Sequence, residues 1–142
     1  MDRPDSTALD TALRRTFDAA QGIVSAYFFG STAEGRTHRE SDLDIGVLLD
    51  RLVYPGARDR FEARLHLTGL LGAATRRNDV DVVILNDAPP QLARAIVTRG
   101  RRVFCADSEA DHAFVRTTLL RAADLEPFLR RARTVKLSAL KR

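Results

Sequence analysis

Two apolar runs, residues 23–29 and 45–49, flank a polar loop, and this arrangement constrains the fold more than any other feature of the chain. The first run ends abruptly at Gly30. Apolar runs of this length, bounded by glycine and polar residues, are typical of buried β-strands. The sequence therefore predicts two strands joined by a polar loop.

An acidic pair, Asp42 and Asp44, opens the second apolar run. Residues two apart on a strand point to the same face, so the two carboxylates are predicted to lie side by side. Such proximity is unfavourable unless a cation lies between them, and oxygen ligands suit Mg²⁺ or Mn²⁺. The structural alternative is that one aspartate merely caps a turn at the strand end.

The dipeptide Gly30-Ser31 follows the first run directly. A glycine lets the backbone approach a phosphate closely, and Ser31 can open a short helix whose amide groups face an anion. Taken alone, Gly-Ser is a common loop dipeptide. In combination with the acidic pair, it predicts a nucleotide site with phosphate at one strand end and metal at the next.

Gly30-Ser31, ten intervening residues and then Asp42-Leu43-Asp44 resemble the signature of the DNA polymerase β-like nucleotidyltransferase superfamily. The short chain is most similar to the minimal nucleotidyltransferases, the MNT proteins of HEPN/MNT toxin–antitoxin systems. The resemblance covers roughly residues 23–107. It implies an α/β fold with a small mixed sheet of about four strands backed by helices, in one domain (1–142) whose C-terminal segment, 108–142, is helical.

The remaining periodicities agree with that fold. Helices are predicted at about 5–20, 58–77 and 90–98 and from 108 onwards. Asp107 and Ser108 are predicted to cap the last helix, and Pro127 to kink or interrupt it. A third buried strand is predicted at 80–85, and an edge strand at 101–106 contains Cys105 as a small core residue. Gly69 and Gly72 are expected to allow close packing of the second helix on the sheet. Its predicted apolar stripe is Phe61, Leu65, Leu67, Leu70, Leu71 and Ala74.

Asp81 interrupts the third predicted strand with a charge, which is costly unless it is compensated. It either pairs with an arginine or serves a site. The resemblance implies a third carboxylate from the strand beside the Asp-x-Asp strand, and Asp81 matches that position. Asp79 has the same side-chain parity, but it is interpreted as a turn residue.

The resemblance implies that Asp42, Asp44 and Asp81 hold two Mg²⁺ ions. One ion activates an attacking hydroxyl, and the other holds the triphosphate of ATP and the leaving pyrophosphate. Gly30 and Ser31 would grip the β- and γ-phosphates.

Four further polar residues of the loop have either a functional or a purely structural role. Ser41 either supports the loop or a phosphate, or is only a turn residue. Arg36, His38 and Arg39 either neutralise the triphosphate and touch the acceptor, or are solvated.

Composition excludes several classes of protein. With 44% hydrophobic and 30% charged residues, the chain is expected to be globular. No apolar run approaches the ~20 residues that span a bilayer, and the charged N-terminus lacks a signal-peptide core, which predicts a cytoplasmic protein. The net charge of +4 comes almost wholly from arginine and lacks an aromatic–basic platform, so nucleic-acid binding is not predicted.

The implied function is an antitoxin that transfers AMP from ATP to a tyrosine of a separate HEPN ribonuclease toxin, and an oligomer with that toxin is one implied form of the complex. Two alternatives stay open: an antitoxin that acts by binding alone, and nucleotidylation of a small molecule such as an aminoglycoside, which normally needs an added substrate-binding domain. Template-directed polymerisation is not expected, because there is no room for fingers or thumb modules.

The segment from 128 onwards combines apolar and basic residues. It is expected either to dock on the partner or to cover the protein's own sheet. The apolar set is Phe128, Leu129, Val135 and Leu140, and the basic set is Arg130, Arg131, Arg133 and Lys136.

Overall fold

The computed structural model describes the backbone of residues 4–30 and 43–140, and the side chains of residues 7–30 and 43–136. Within these ranges four helices and four strands follow one another, with a short 3-10 turn (Leu85–Asp87) after the third strand. Their order is α1 (Pro4–Ala19), β1 (Ile23–Phe29), β2 (Leu43–Leu49), α2 (Ala57–Thr75), β3 (Val80–Ile84), α3 (Pro90–Arg99), β4 (Arg101–Cys105) and α4 (Ser108–Leu140).

The four strands form one mixed sheet in the order β3-β2-β1-β4. β1 is antiparallel to both of its neighbours, whereas β2 and β3 are parallel. A parallel pair needs a crossover connection, and α2 provides it. The predicted mixed α/β sheet of about four strands is confirmed.

Helices cover both faces of the sheet, which explains why β1 and β2 are apolar almost throughout. One face packs against α1 and α2, through Leu13, Phe17, Leu67 and Leu71. The other face packs against α3 and α4, through Ala93, Ile96 and Phe114. Because successive side chains of a strand point to opposite faces, a strand covered on both sides buries nearly every residue.

The predicted apolar stripe of α2 is too wide. The buried positions are Arg60, Ala63, Leu67 and Leu71, which recur every three or four residues and so share one face. Phe61 and Leu65 lie outside that face and are 53% and 58% exposed. The expected close packing at Gly69 is also wrong, because a Cβ atom added there would meet nothing within 4 Å.

β3 is an edge strand, not the buried strand that was predicted. Only Val82 and Ile84 are buried in it, and Asp81 is exposed. The charge of Asp81 therefore costs little, because one side of the strand faces solvent. β4 lies at the opposite edge, as predicted, and its Cys105 is only partly buried.

α4 runs unbroken through Pro127 for 33 residues, so the proline does not interrupt it. Asp107 caps the helix as predicted, because its Oδ1 atom accepts a hydrogen bond of 3.1 Å from the backbone N–H of Ala110. Leu119 and Leu120 point away from the core and are 41% and 62% exposed. Neither α4 nor any other helix in the described ranges is long and apolar enough to cross a membrane.

Candidate active site

The end of β1 and the start of β2 lie side by side, at one end of the two central strands of the sheet. Phe29 is opposite Asp44 in the antiparallel register, and Gly30 follows directly. Gly30 has a φ of +88°, which L-residues with a side chain rarely adopt. A Cβ atom on Gly30 would also collide with the Oδ2 atom of Asp44. Glycine is therefore required here by backbone conformation and by the close approach of a carboxylate.

Asp44 and Asp81 are direct neighbours across the parallel β2–β3 pair. Paired residues of neighbouring strands project to the same face, and their strands lie about 4.8 Å apart. Asp44 shares its face with Leu48, which packs in the cluster around α3. The two carboxylates therefore lie together on the α3 face of the sheet, next to Gly30.

Arg64 of α2 reaches around the sheet edge towards Asp81. Its Nη2 atom is 3.8 Å from Oδ1 of Asp81, and its Nε atom donates a 2.8 Å hydrogen bond to the carbonyl of Val82. The Arg64–Asp81 contact is long, and both side chains are about half exposed. The arginine pairing weighed as the alternative role of Asp81 is thus present, but an exposed pair at this distance stabilises the fold little.

Asp79 has a different role from Asp81. Its carboxylate pairs with Arg77, at 3.1 Å from Nε, and the hydrogen bond from Arg77 holds the pKa of Asp79 below its usual range. Its carbonyl accepts a 2.9 Å hydrogen bond from Leu43 N–H. Asp79 lies just before β3, outside the strand, and ties the starts of β2 and β3 together; its interpretation as a turn residue and not a metal ligand stays a prediction.

The rest of the predicted site, Ser31, Ser41 and Asp42, lies outside the described residues, as do Arg36, His38 and Arg39. Within 7–30 and 43–136, no three His, Cys, Asp or Glu side chains form a group that could hold a metal ion. Asp44 and Asp81 are the acidic neighbours that the described part of the site contains. Two adjacent carboxylates are hard oxygen donors and fit Mg²⁺ chemistry.

A buried polar cluster lies on the same face of the sheet and was not predicted. Asp111 of α4 is 1% exposed. It accepts hydrogen bonds from Ser25 (2.6 Å), from the Tyr27 hydroxyl (2.8 and 3.0 Å) and from Arg102 (2.9 Å). The available sequence signal was the alternation of Ser25 and Tyr27 within an otherwise apolar strand. Nothing in the sequence pattern of α4 singles out Asp111.

The cluster keeps Tyr27 protonated. Burial raises the pKa of Tyr27 well above its ordinary value of 10.0, and the hydrogen bond to Asp111 raises it further. Both effects disfavour a second negative charge beside the Asp111 carboxylate. Tyr27 is therefore a neutral donor that fastens α4 to β1 rather than a nucleophile.

Two comparisons of sequence agree with this geometry. The model of the family described as polymerase beta, nucleotidyltransferase matches residues 12–109. The protein adenylyltransferase MntA of Shewanella oneidensis is 34% identical over 93 residues, which are 64% of this chain. The same alignment spans 60% of the length of that relative.

Solved structures share the fold over almost the whole chain. A chain in the crystal structure of a toxin–antitoxin with AMP-PNP is 25% identical, with a TM-score of 0.66, and 94% of this chain and 98% of that chain are covered. A chain in the complex of a tri-AMPylated Shewanella oneidensis HEPN toxin with MNT antitoxin has a TM-score of 0.61. It is 21% identical over 97% of this chain and 99% of that chain, a level at which the likeness concerns the fold alone.

Proposed function

This chain belongs to the polymerase beta nucleotidyltransferase family, and from that premise we propose that it transfers AMP from ATP to a hydroxyl group of a partner protein. The observation that carries the proposal is that Gly30, Asp44 and Asp81 lie together, where β1 ends and β2 and β3 begin. A relative named as a protein adenylyltransferase, 34% identical to this chain, supports AMP as the transferred group. A 25% identical chain from a structure that contains AMP-PNP supports ATP as the donor.

The residues have distinct roles in this proposal. Gly30 lets the backbone come close to the β- and γ-phosphates, and Ser31 provides a hydroxyl and an amide for them. Asp42, Asp44 and Asp81 would hold two Mg²⁺ ions, which when bound stabilise charge on the attacking and leaving oxygens. Ser41, which precedes Asp42 in the sequence, would support the loop or a phosphate. The Asp44 carboxylate lies close to the Gly30 backbone and beside Asp81, so a cation bound there would relieve the repulsion between the two carboxylates.

The proposed acceptor is a tyrosine of a HEPN-type toxin, and its modification would neutralise the toxin. The support is that the 25% identical chain belongs to a toxin–antitoxin structure. A phenol suits this chemistry, because the attacking species is its deprotonated form and a nearby cation favours that form.

The test is to co-express the chain with the protein encoded by the adjacent reading frame and to weigh that protein by intact mass spectrometry. Addition of one or more AMP units is expected with the native chain. Asp44→Asn removes the charge with little change in volume, so the fold is expected to persist while AMP transfer is lost. Asp18→Asn, an exposed aspartate at the end of α1, is the matched control and should transfer AMP normally.

The same experiment separates transfer from binding. An unmodified partner whose toxicity is still suppressed by Asp44→Asn would replace the enzymatic proposal with an antitoxin that acts by binding alone. A partner that is modified equally by Asp44→Asn would show that the acidic pair is assigned wrongly.

A further inference from the structure

The second half of α4 extends beyond the body of the protein. With 33 residues at ~1.5 Å each, the helix is about 50 Å long. Within the part whose side chains are described, 108–136, Ala122 is the last buried residue, and every side chain in 130–136 is exposed. We call residues 123–140 the distal arm. Because most of its described side chains are exposed, the arm would be stabilised further by packing on a partner.

The distal arm carries an apolar stripe on one side. Each member has another member three or four residues away, which places them on one face of a helix. Phe128 and Val135 are 61% and 68% exposed. The described members are Leu125, Phe128, Leu129, Ala132 and Val135. Contiguous exposed apolar surface of this kind is typical of protein-binding sites.

A groove of about 450 Å³ runs beside this stripe, between the distal arm and the start of α3. Leu129 and Ala132 are its apolar lining residues, and Arg133 and Lys136 are its basic ones. Gln91, which also lines the groove, donates a 3.0 Å hydrogen bond to the carbonyl of Ala122 and so ties the start of α3 to α4. The surface is therefore a groove with both apolar and basic lining residues.

Charge decides what kind of partner this surface fits. The acidic residues of the arm, Asp124 and Glu126, lie in its first turn. Residues 128–142 contain six arginines and lysines and no acidic residue; since the whole chain has a net charge of +4, residues 1–127 have a net charge of −2. Arg131 lies over the Phe128 ring, with 5.1 Å between its Cζ atom and the ring centroid, and Arg133 pairs with Glu126 at 3.2 Å. A second copy of the arm would bring like charges together, which is unfavourable, whereas an acidic surface would be attracted.

We propose that the distal arm is the docking element for the partner protein, and that it lies in an apolar groove bordered by acidic side chains on the toxin. This inference rests on the proposed function and names the surface through which the acceptor is recruited. The mode is that of an amphipathic helix in a groove, in which apolar anchors supply affinity and the flanking charges supply orientation. A basic helix can also bind RNA, but the exposed Phe128 and Val135 add nothing to a phosphate contact and favour a protein.

The first test removes the apolar anchors. The double variant Phe128→Ser/Val135→Ser of the full chain should bind the purified protein of the adjacent reading frame about 30-fold or more weakly, since central apolar anchors dominate interfaces. Affinity for ATP should stay unchanged. Leu120→Ser is the matched control, because Leu120 is 62% exposed on the same helix but lies off the stripe. It should bind the partner as the native chain does.

The second test addresses charge. Arg131→Glu should weaken binding and flatten its dependence on salt, because one attractive charge is replaced by a repulsive one. Arg116→Glu makes the same change at an exposed position of α4 outside the arm, and it should leave the affinity nearly unchanged.

The outcomes separate this inference from the proposed function. Native affinity in the double variant would overturn the docking inference, while AMP transfer that depends on Asp44 would still support the proposed function. Loss of binding in the double variant, with Asp44→Asn binding normally, would support the docking inference even if no AMP were transferred. Binding of a single-stranded or duplex RNA oligonucleotide that the arm variants abolish, with toxin binding intact, would overturn it in favour of nucleic acid. A native dimer that the double variant dissociates, again with toxin binding intact, would assign the surface to self-association.

Discussion

At the scale of single residues, the candidate site depends on how closely Gly30 approaches Asp44. The positive φ of Gly30 turns the chain out of β1, and the absent Cβ leaves room for the Asp44 carboxylate. Any other residue at this position would have a side chain that disfavours the positive φ and that collides with the Asp44 carboxylate. Even a small substitution at position 30 therefore disturbs both the turn at the end of β1 and the Asp44 carboxylate.

Gly30→Ala should accordingly lower the free energy of unfolding by about 1–2 kcal/mol and reduce AMP transfer by a larger factor than ATP binding. Gly69→Ala is the control, because its added Cβ meets nothing and alanine is the better helix former by up to ~1 kcal/mol. Urea unfolding and the transfer assay check both variants. Full activity in Gly30→Ala would show that the close approach has no role in the chemistry.

Asp81 and Asp79 can be separated by the same type of substitution. Asp81→Asn should reduce the rate of AMP transfer on the order of 100-fold or more, because the carboxylate beside Asp44 is lost. Asp79→Asn should change the rate only a few-fold, since the Asp79 carboxylate is engaged by Arg77. A ranking in the reverse order, measured with α-labelled ATP, would move the ligand role to Asp79.

Asp79→Asn should instead lower stability, by about 1 kcal/mol at pH 7. The pKa of Asp79 is depressed in the folded state, so its contribution is present above the ordinary value of 3.8 and is lost as the pH falls through the folded-state pKa. The difference in unfolding free energy between this variant and the native chain should therefore shrink below about pH 4.

At the scale of elements, the Asp111 cluster joins α4 to β1. Ser25 and Tyr27 belong to the central strand, Arg102 to an edge strand and Asp111 to the first turn of α4. Among the described residues no buried side-chain nitrogen or oxygen lacks a hydrogen-bond partner, so the cluster is fully satisfied. It anchors the helix whose far half forms the distal arm, and so helps to set the direction in which the arm projects.

Tyr27→Phe should cost about 1–2 kcal/mol of stability at neutral pH through the loss of a buried hydrogen bond. The pKa of Tyr27 is raised by folding, so this contribution is complete below pH 10 and is lost as the pH rises above it. The difference in urea unfolding between the variant and the native chain should therefore be largest below pH 10 and should shrink progressively as the pH rises above that value.

Asp111→Asn serves as the internal comparison for Tyr27→Phe. It leaves Arg102 without its carboxylate partner and should cost more, about 2–3 kcal/mol. A smaller loss than that of Tyr27→Phe would show that Asp111 is not the anchor of the cluster.

At the scale of the whole molecule, the mixed topology assembles the site. The antiparallel β1–β2 pair brings the end of β1 beside the start of β2, and the parallel β2–β3 pair adds the start of β3. The end of β1 and the starts of β2 and β3, which are separated in the sequence, thus lie next to one another in the sheet. The helices pack their apolar residues on the two faces of the sheet.

The local features of the site were determined by the sequence alone. Apolar runs bounded by Gly30 and by the acidic pair define two strands and their loop, because the constraints involved are turn conformation and alternation along a strand. The helix bounds and the cap at Asp107 follow from similarly local chemistry, with the strand at 101–106 correctly placed at an edge. Asp81 was identified through the family resemblance, and the structure places it beside Asp44, although its role as a ligand stays a prediction.

Only the tertiary structure decided which surfaces are covered. Phe61 and Leu65 fit a helix stripe but are exposed, Asp81 lies on an edge strand, and Asp111 is buried despite its charge. The physical reason is that burial depends on which elements pack against a face, and strand order and register set that between segments distant in sequence. Periodicity reports the pattern within one element, whereas the partner that covers a face, or leaves the distal arm uncovered, is a property of the assembled fold.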